Sequence, residues 1–320
     1  MVLGFKSNHI FKNGSFQKGS IFFDDKQILA KGKVTEDLQE AFILPRLIDL
    51  QVNGGFGIDL TSEPERVEEL AKHLYELGVG AFCPTLISMP LSKYKSALKH
   101  FKPRKVKGGA EILGAHLEGP FLSIPGAHNE KHLINETDIP LENVRMITLS
   151  PEKISPSFIA KLRKKRIVIS AGHSNADISS LIKLKIPMVT HLFNAMPFHH
   201  RAPGLIDYAL TQPVYYSLIA DNKHISDSVY EIARKANPEG LILVSDLAPG
   251  FQSKKKKFRL GDREFKKGEL AGSEMSLIEM VLRTGNVAAA TTHPAQLLGL
   301  TNIGNLNPQS SSDFLIIRHE

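Results

Sequence analysis

The chain contains one cysteine, Cys83, no tryptophan, and no apolar run approaching the roughly 18 residues needed to span a bilayer. A single cysteine excludes an intrachain disulfide. Its longest apolar runs, such as Leu241 to Val244, are too short for a membrane-spanning helix. The opening MVLGFKSNHIFKNG lacks an apolar core of signal-peptide length, so no secretory signal is read and a reducing, cytoplasmic setting is expected. Also missing are a CxxC…HxxxH finger, an RNP-like aromatic pattern and a basic heptad array. The balance of 40 Lys+Arg against 33 Asp+Glu gives +7. Because these cations fall in scattered runs, Lys161 to Arg166 and Lys254 to Lys257, they read as solvated faces and nucleic acid is not an expected partner. With 42% hydrophobic and 23% charged residues, disorder and low complexity are excluded as well.

What is present is a change of texture near residue 45. Residues 1–44 read as short strands, among them Ser20 to Phe23 and Gln27 to Ala30, punctuated by turn signals at Asn13-Gly14 and Asp24-Asp25. From Leu47 onward, apolar runs of four to six residues alternate with amphipathic stretches, the pattern of βα units feeding a parallel sheet. Eight runs are read: Leu47 to Val52, Ala81 to Leu86, Glu111 to His116, Val144 to Leu149, Ile167 to Ser170, Met188 to Leu192, Tyr215 to Ile219 and Leu241 to Ser245. Ser62 with Glu65 predicts a capping box, Pro64 a first helical turn and Gly78 a helix end; Ser155-Pro156 opens another helix. Eight units over roughly 250 residues fit a (β/α)8 TIM-like barrel better than an open doubly wound sheet. A hairpin is expected near Phe258 to Leu270, helices near Ser276 to Arg283 and Asn286 to Leu298, and a last strand at Phe314 to Ile317. That strand is expected to join the N-terminal strands in a small β-sandwich domain, residues 1–44 plus 301–320, leaving 45–300 to the barrel.

Chemistry in such a barrel sits at the C-terminal ends of its strands. The polar residues closing the runs are Gln51 and Asn53, His116 and Glu118, His173, His191 and Asn194, Asp221 and His224, and Asp246. One carboxylate and two imidazoles, Glu118, His173 and His191, form a common hydrolytic metal set if their strands converge. Each histidine alone also reads as a satisfied core residue. Spacing does not separate zinc from iron or manganese. Asp246 reads either as an N-cap or, beside a metal, as the group that takes a proton from water and returns it to a leaving amine. His128 and His224, in loops of the same face, read either as solvated loop histidines or as partners of substrate oxygens or phosphate, and Arg201 either as a surface arginine or as a fork for phosphate.

The segments LPRLIDLQVNGGFGIDL at 44–60, GAHLEGPFLSIPGAHN at 114–129, SAGHSNAD at 170–177, THLFNAMP at 190–197, IADNKH at 219–224, LVSDLAPG at 243–250 and LAGSEMSL at 270–277 occur in order across nearly the whole chain. In this the sequence resembles the N-acetylglucosamine-6-phosphate deacetylase family of the amidohydrolase superfamily. The resemblance implies a barrel enzyme that hydrolyses the acetamide of an amino-sugar phosphate, with Glu118, His173 and His191 holding metal and Asp246 activating a metal-bound hydroxide. It implies His128 at the acetyl carbonyl or sugar hydroxyls. Asn194, Ala195, His224 and Arg201 would bind the phosphorylated sugar, completed by Ala127 and the turn of Leu270, Ala271 and Gly272. It further implies a homodimer in which Arg201 acts in trans. The pair Gln51 and Asn53 stands where many relatives carry HxH, which predicts one divalent ion per subunit, with zinc expected ahead of iron or manganese. Arg46 and Asn222 stand where glycine is usual, and Leu247 where a small residue is usual. Two other functions remain: deacetylation of another N-acetylated sugar or amino acid, and sugar-phosphate binding without turnover.

Overall fold

The computed structural model describes residues 2–318. Eight parallel strands form the barrel: β1 Leu47–Val52, β2 Val79–Leu86, β3 Ala115–Glu118, β4 Val144–Leu149, β5 Val168–Ala171, β6 Met188–Val189, β7 Tyr215–Leu218 and β8 Leu241–Leu243. Each pairs with the next in sequence order from β1 to β8. The chain beyond β8 closes the ring: Val52 and Leu247 form a parallel bridge, and the Leu247 carbonyl accepts from the amides of Asn53 and Gly54 at 3.1 and 3.0 Å. Helices α1 Val67–Glu76, α2 Leu91–Leu98, α3 Pro156–Lys164, α4 Ile178–Leu184, α5 Leu205–Thr211, α6 Asp227–Ala236, α7 Leu277–Thr284 and α8 Thr292–Leu298 surround it. No helix among the described residues is long and apolar enough to cross a membrane.

Strand alternation sorts the barrel side chains by face and height. Phe82, Leu117, Ile147, Ile169, Val189 and Leu218 belong to the core shared with the helices, while Ile48, Cys83, Met146, Met188, Ile242 and Val244 form a separate apolar core. Above that second core lies a hydrogen-bonded layer in which Thr148 Oγ1 meets His116 Nε2 at 2.7 Å and Thr190 Oγ1 at 2.7 Å, and Ser170 meets Thr190 at 2.6 Å.

The two ends of the chain build a separate mixed sheet. Residues 3–12 and 15–23 pair antiparallel through a two-residue turn, Asn13-Gly14, with both φ angles positive, as the Asn-Gly signal predicts. Phe314–Ile317 runs antiparallel to Phe42–Pro45, which is parallel to the first strand. Ile10, Ile21, Ile28, Ile43 and Leu306 form the core beneath. Arg46 ties this sheet to the barrel: its guanidinium lies 3.6 Å from the centroid of Tyr75, and Nε donates to Asp313 at 2.5 Å while Tyr75 OH donates to the same oxygen at 2.9 Å. Gly80 makes the room, since a Cβ there would sit 2.6 Å from Arg46 Cβ.

Three local readings are corrected. The run expected at Glu111 to His116 divides at Gly114, whose φ of +111° breaks the extended chain; Glu111–Ile112 pairs with β2 and bridges Arg104, and the barrel strand continues to Glu118. Ser62 does not cap α1. Its hydroxyl bonds Asp59 and the Gly261 carbonyl, and the helix enters through a 3-10 turn at Pro64–Arg66. Asn286 to Leu298 yields a 3-10 turn at Ala288–Ala290 and then α8 rather than one helix.

Two stability outcomes follow. Arg46→Ala removes charge-assisted bonds at a half-buried junction and is expected to cost about 1–2 kcal/mol in denaturant unfolding; Gly80→Ala is expected to destabilise the wild type but much less an Arg46→Gly background. Asp49 is fully buried on β1, with Oδ1 accepting from the Ser245 amide at 3.2 Å and Oδ2 without a partner. Burial raises it to about 6. Because the folded value exceeds the unfolded one, its favourable contribution is complete below the unfolded value and is lost as pH rises through about 6. Wild type is therefore expected to gain stability relative to Asp49→Asn as pH falls from 7 to 4, read from paired unfolding curves.

Candidate active site

Glu118, at the end of β3, is 4% exposed and sits at the centre of the barrel mouth. Its Oε1 meets His191 Nε2 at 2.9 Å, Gln51 Nε2 at 3.0 Å and His173 Nε2 at 3.4 Å; its Oε2 lies 3.4 Å from His128 Nε2. His173 Nε2 and His191 Nε2 are 3.1 Å apart. Burial alone would raise the Glu118 carboxyl, but bonds from His128, His173 and His191 outweigh it and hold the group well below the ordinary carboxylate range. Burial pushes His173 down to about 4. For His191 burial acts the same way, yet the bond and charge of Glu118 prevail and raise it.

These atoms satisfy the geometry of a cation site. Glu118 Oε1, His173 Nε2 and His191 Nε2 form a triangle with edges of 2.9, 3.1 and 3.4 Å. A tetrahedral ion with bonds near 2.0–2.1 Å needs donor separations of about 3.3 Å. His173 Nδ1 donates to the Ile124 carbonyl at 2.8 Å, which leaves the lone pair on Nε2 facing the triangle. Two nitrogens and a carboxylate oxygen suit zinc, iron or manganese.

Asp246 faces the same mouth. Gln51 Nε2 reaches its Oδ1 at 2.9 Å, and Asn53 Nδ2 reaches the same atom at 2.8 Å. The Gln51 amide therefore spans the two carboxylates, one hydrogen to each. Burial first, then the charge of Glu118, raises Asp246 to about 7. No helix begins at Asp246, which removes the N-cap reading.

Backbone conformation aims these side chains. His173, His191 and Asp246 have φ of 51°, 31° and 47°. Left-handed residues outside glycine are uncommon and cluster where a structure over-determines them. The segment 246–248 is held from its other side: the Asp246 carbonyl accepts from Ser273 N at 2.9 Å, and Ala248 N donates to the Ser273 carbonyl at 2.8 Å. This brings in the Leu270–Gly272 turn. Gly272, at φ +87°, could not carry a Cβ, which would meet the Asp246 carbonyl at 2.6 Å.

The remaining sequence-nominated residues are placed as follows. His128 is 2% exposed; Ser88 N donates to its Nδ1 at 3.1 Å, so Nε2 carries the hydrogen that points to the centre. Ala127 precedes it, half-buried. His224 Nδ1 donates to Asp221 Oδ2 at 2.8 Å, and Ser273 Oγ donates to the same oxygen at 2.8 Å. Asn222 adopts φ +62°, a conformation asparagine tolerates and glycine prefers, which accounts for its standing at that position. Leu247 packs over Gly55, where a Cβ would lie 3.1 Å from it. Asn194 Nδ2 bonds the carbonyls of His191 and Leu192 at 3.3 Å each, and Ala195 follows at φ 51°. Ala271 is buried, Leu270 exposed. Arg201 is exposed on the loop after β6, its guanidinium without a hydrogen-bond partner among the described residues.

His116, a strand-end histidine in the sequence, lies one layer below the mouth. It donates to the Leu50 carbonyl, accepts from Thr148, and burial lowers it to about 4. Sequence reasoning missed Ser88, Ser273 and the Gln51 bridge; only Gln51, as a polar strand terminus, left a signal.

A scan against protein-family models finds no match. The chain is 34% identical over 346 residues to the N-acetylglucosamine-6-phosphate deacetylase of Bos taurus, covering 93% of this chain and 84% of the relative. It is 32% identical over 375 residues to the protein of the same name from Rattus norvegicus, covering 99% and 91%. The crystal structure of N-acetylglucosamine-6-phosphate deacetylase from Thermotoga maritima matches with a TM-score of 0.88 at 26% identity, over 99% of this chain and 94% of that one.

The donor triangle has a direct consequence. A divalent cation at about 100 times its Kd is expected to stabilise the chain by about 2.7 kcal/mol in thermal unfolding. Chelator should reverse the gain and Glu118→Ala abolish it; a Glu118→Ala protein that retained it would place the ion elsewhere.

Proposed function

The chain belongs to the N-acetylglucosamine-6-phosphate deacetylase family, and we propose that it hydrolyses the acetamide of N-acetylglucosamine 6-phosphate to glucosamine 6-phosphate and acetate. The observation carrying this reading is the juxtaposition of the Glu118, His173 and His191 donor triangle with Asp246, the two joined by Gln51.

Glu118 Oε1, His173 Nε2 and His191 Nε2 would hold one divalent metal ion, with zinc the first expectation. When bound, such an ion supplies Lewis acidity toward water and the acetyl oxygen. One ion suffices on this reading because Gln51 and Asn53 present amide hydrogens, which occupy Asp246 Oδ1 and cannot ligate. With Oδ1 taken by two donors, Asp246 Oδ2 is the oxygen left to accept the proton of the attacking water and pass it to the departing amine nitrogen. The water oxygen ends in acetate and the proton on glucosamine. His128, its Nδ1 fixed by Ser88, offers Nε2–H to the acetyl or a sugar oxygen.

The remaining side chains fit an anionic sugar. His224 is oriented by Asp221, leaving its other ring nitrogen for a phosphate oxygen. Asn194, Ala195, Ala127 and the turn of Leu270, Ala271 and Gly272 complete the pocket. Arg201, exposed and unengaged, is assigned to the phosphate of the neighbouring subunit in a homodimer, a role its planar fork suits. The buried, unpaired Cys83 accords with a cytoplasmic setting.

The test is acetate release by purified protein with metal content measured on the same sample. Release at about one ion per chain is expected. Asp246→Asn should keep its ion and lose activity by about 10³-fold. The unphosphorylated sugar should react poorly. Full occupancy without release from the 6-phosphate would overturn the substrate, and an active Asp246→Asn the base.

A further inference from the structure

The hairpin formed by Lys257–Leu260 and Arg263–Lys266 supplies nothing to the chemistry above, yet its tip is built against the loop that carries His128. One guanidinium nitrogen of Arg263, Nη1, lies 3.0 Å from the carbonyl oxygens of both Ala127 and His128 and 3.4 Å from that of Gly126. Three successive carbonyls turned toward one point repel each other unless a cation sits among them. Arginine supplies that charge with fixed donors. The neighbouring Asp262 holds the next stretch: its Oδ2 accepts from Asn129 Nδ2 at 2.8 Å and pairs with His132 Nε2 at 3.0 Å. Adjacent residues of opposite charge thus grip both halves of the segment 126–132.

The tip is itself anchored. Gly261 N donates to the buried Asp59 at 2.8 Å, and Ser62 Oγ bonds the Gly261 carbonyl at 3.0 Å. Phe258, Leu260 and Phe265 pack with Ile87, Ala248 and Ala271, against which Ala127 lies. Ile87 precedes Ser88, whose amide fixes the His128 ring. The hairpin, its tip residues Gly261 and Asp262 included, borders an open groove of about 1310 Å³ lined also by Lys93 and Lys256.

We propose that Arg263 and Asp262 are positioning residues that clamp the 126–132 loop and thereby hold His128 Nε2–H on the reacting centre. The proposal rests on the deacetylase reading for its kinetic consequence but not for its geometry.

The experiment uses metal-loaded Arg263→Met, which keeps an unbranched side chain and removes the donors together with the guanidinium that lies 5.0 Å from the Phe265 ring centroid. Its kcat should fall about tenfold or more with metal content unchanged, and hydrogen exchange at Ser88 N and across 126–132 should quicken. Arg263→Lys should recover part of the loss. In a His128→Ala background Arg263→Met should add less than twofold, the mark of action through that histidine. Unchanged kcat and exchange, or an undiminished loss in the His128→Ala background, would overturn the clamp. If Arg263→Met does not fold, Asp262→Asn tests the same grip through the same exchange and kinetic readouts. A wild type releasing no acetate would sink the substrate assignment, while Ser88 exchange still decides the clamp.

Discussion

A carboxylate buried to 4% exposure at the mouth of a barrel is the constraint around which this molecule is arranged. An ionised group removed from water must be met by donors or cations, or it takes up a proton. Glu118 is met by three imidazoles and an amide, drawn from the chain after β5, from the chain after β6, from the loop after β3 and from β1. Convergence of so many separate segments requires a closed barrel, because an open sheet would spread the same strand ends along a line. The closure through Leu247 therefore belongs to the site as much as to the fold: it brings Asp246 within reach of Gln51 and Asn53.

The second constraint is conformational. Three of the residues at the centre, His173, His191 and Asp246, turn into the left-handed region where each strand ends. Such residues persist only when their surroundings hold them. Ser123 and Ile124 both donate to the His173 carbonyl, at 3.0 and 2.8 Å, and Ser217 Oγ receives the His191 amide at 2.7 Å. Ser273 does the same for the Asp246 carbonyl. Small residues cluster around these turns for a steric reason: a Cβ on Gly126 would meet His173 Cε1 at 2.9 Å, and one on Gly172 would meet Thr148 at 2.7 Å.

How much of this is legible in the sequence depends on range. The rule that a polar residue closing an apolar run lies at the barrel mouth found Glu118, His173, His191 and Asp246, because strand period and barrel topology determine height without side-chain detail. The Asn13-Gly14 turn was readable for the same local reason. What escaped depends on contacts far apart in the chain. Ser88 meets His128 across 40 positions and Arg263 meets Ala127 across 136. A serine after a strand and an arginine in a lysine-rich hairpin carry no mark of these contacts. Ser62 misled because its hydroxyl found a tertiary partner, Asp59 with the hairpin tip, in place of the helix it precedes.

His116 and Glu118 show what separates structure from chemistry in such a barrel. They are two residues apart on β3, so alternation turns both inward, and about 6.6 Å of rise places one a layer below the other. In the lower layer every polar atom of the imidazole is bound by protein, the Leu50 carbonyl on one nitrogen and Thr148 on the other, and burial keeps the ring neutral. In the upper layer the nitrogens of His173 and His191 face each other and a carboxylate oxygen, an arrangement with more lone pairs than protons. Residue type and strand position nominate His116 and Glu118 alike. Depth along the barrel axis decides whether the protein has already satisfied the group or has left it facing what binds there.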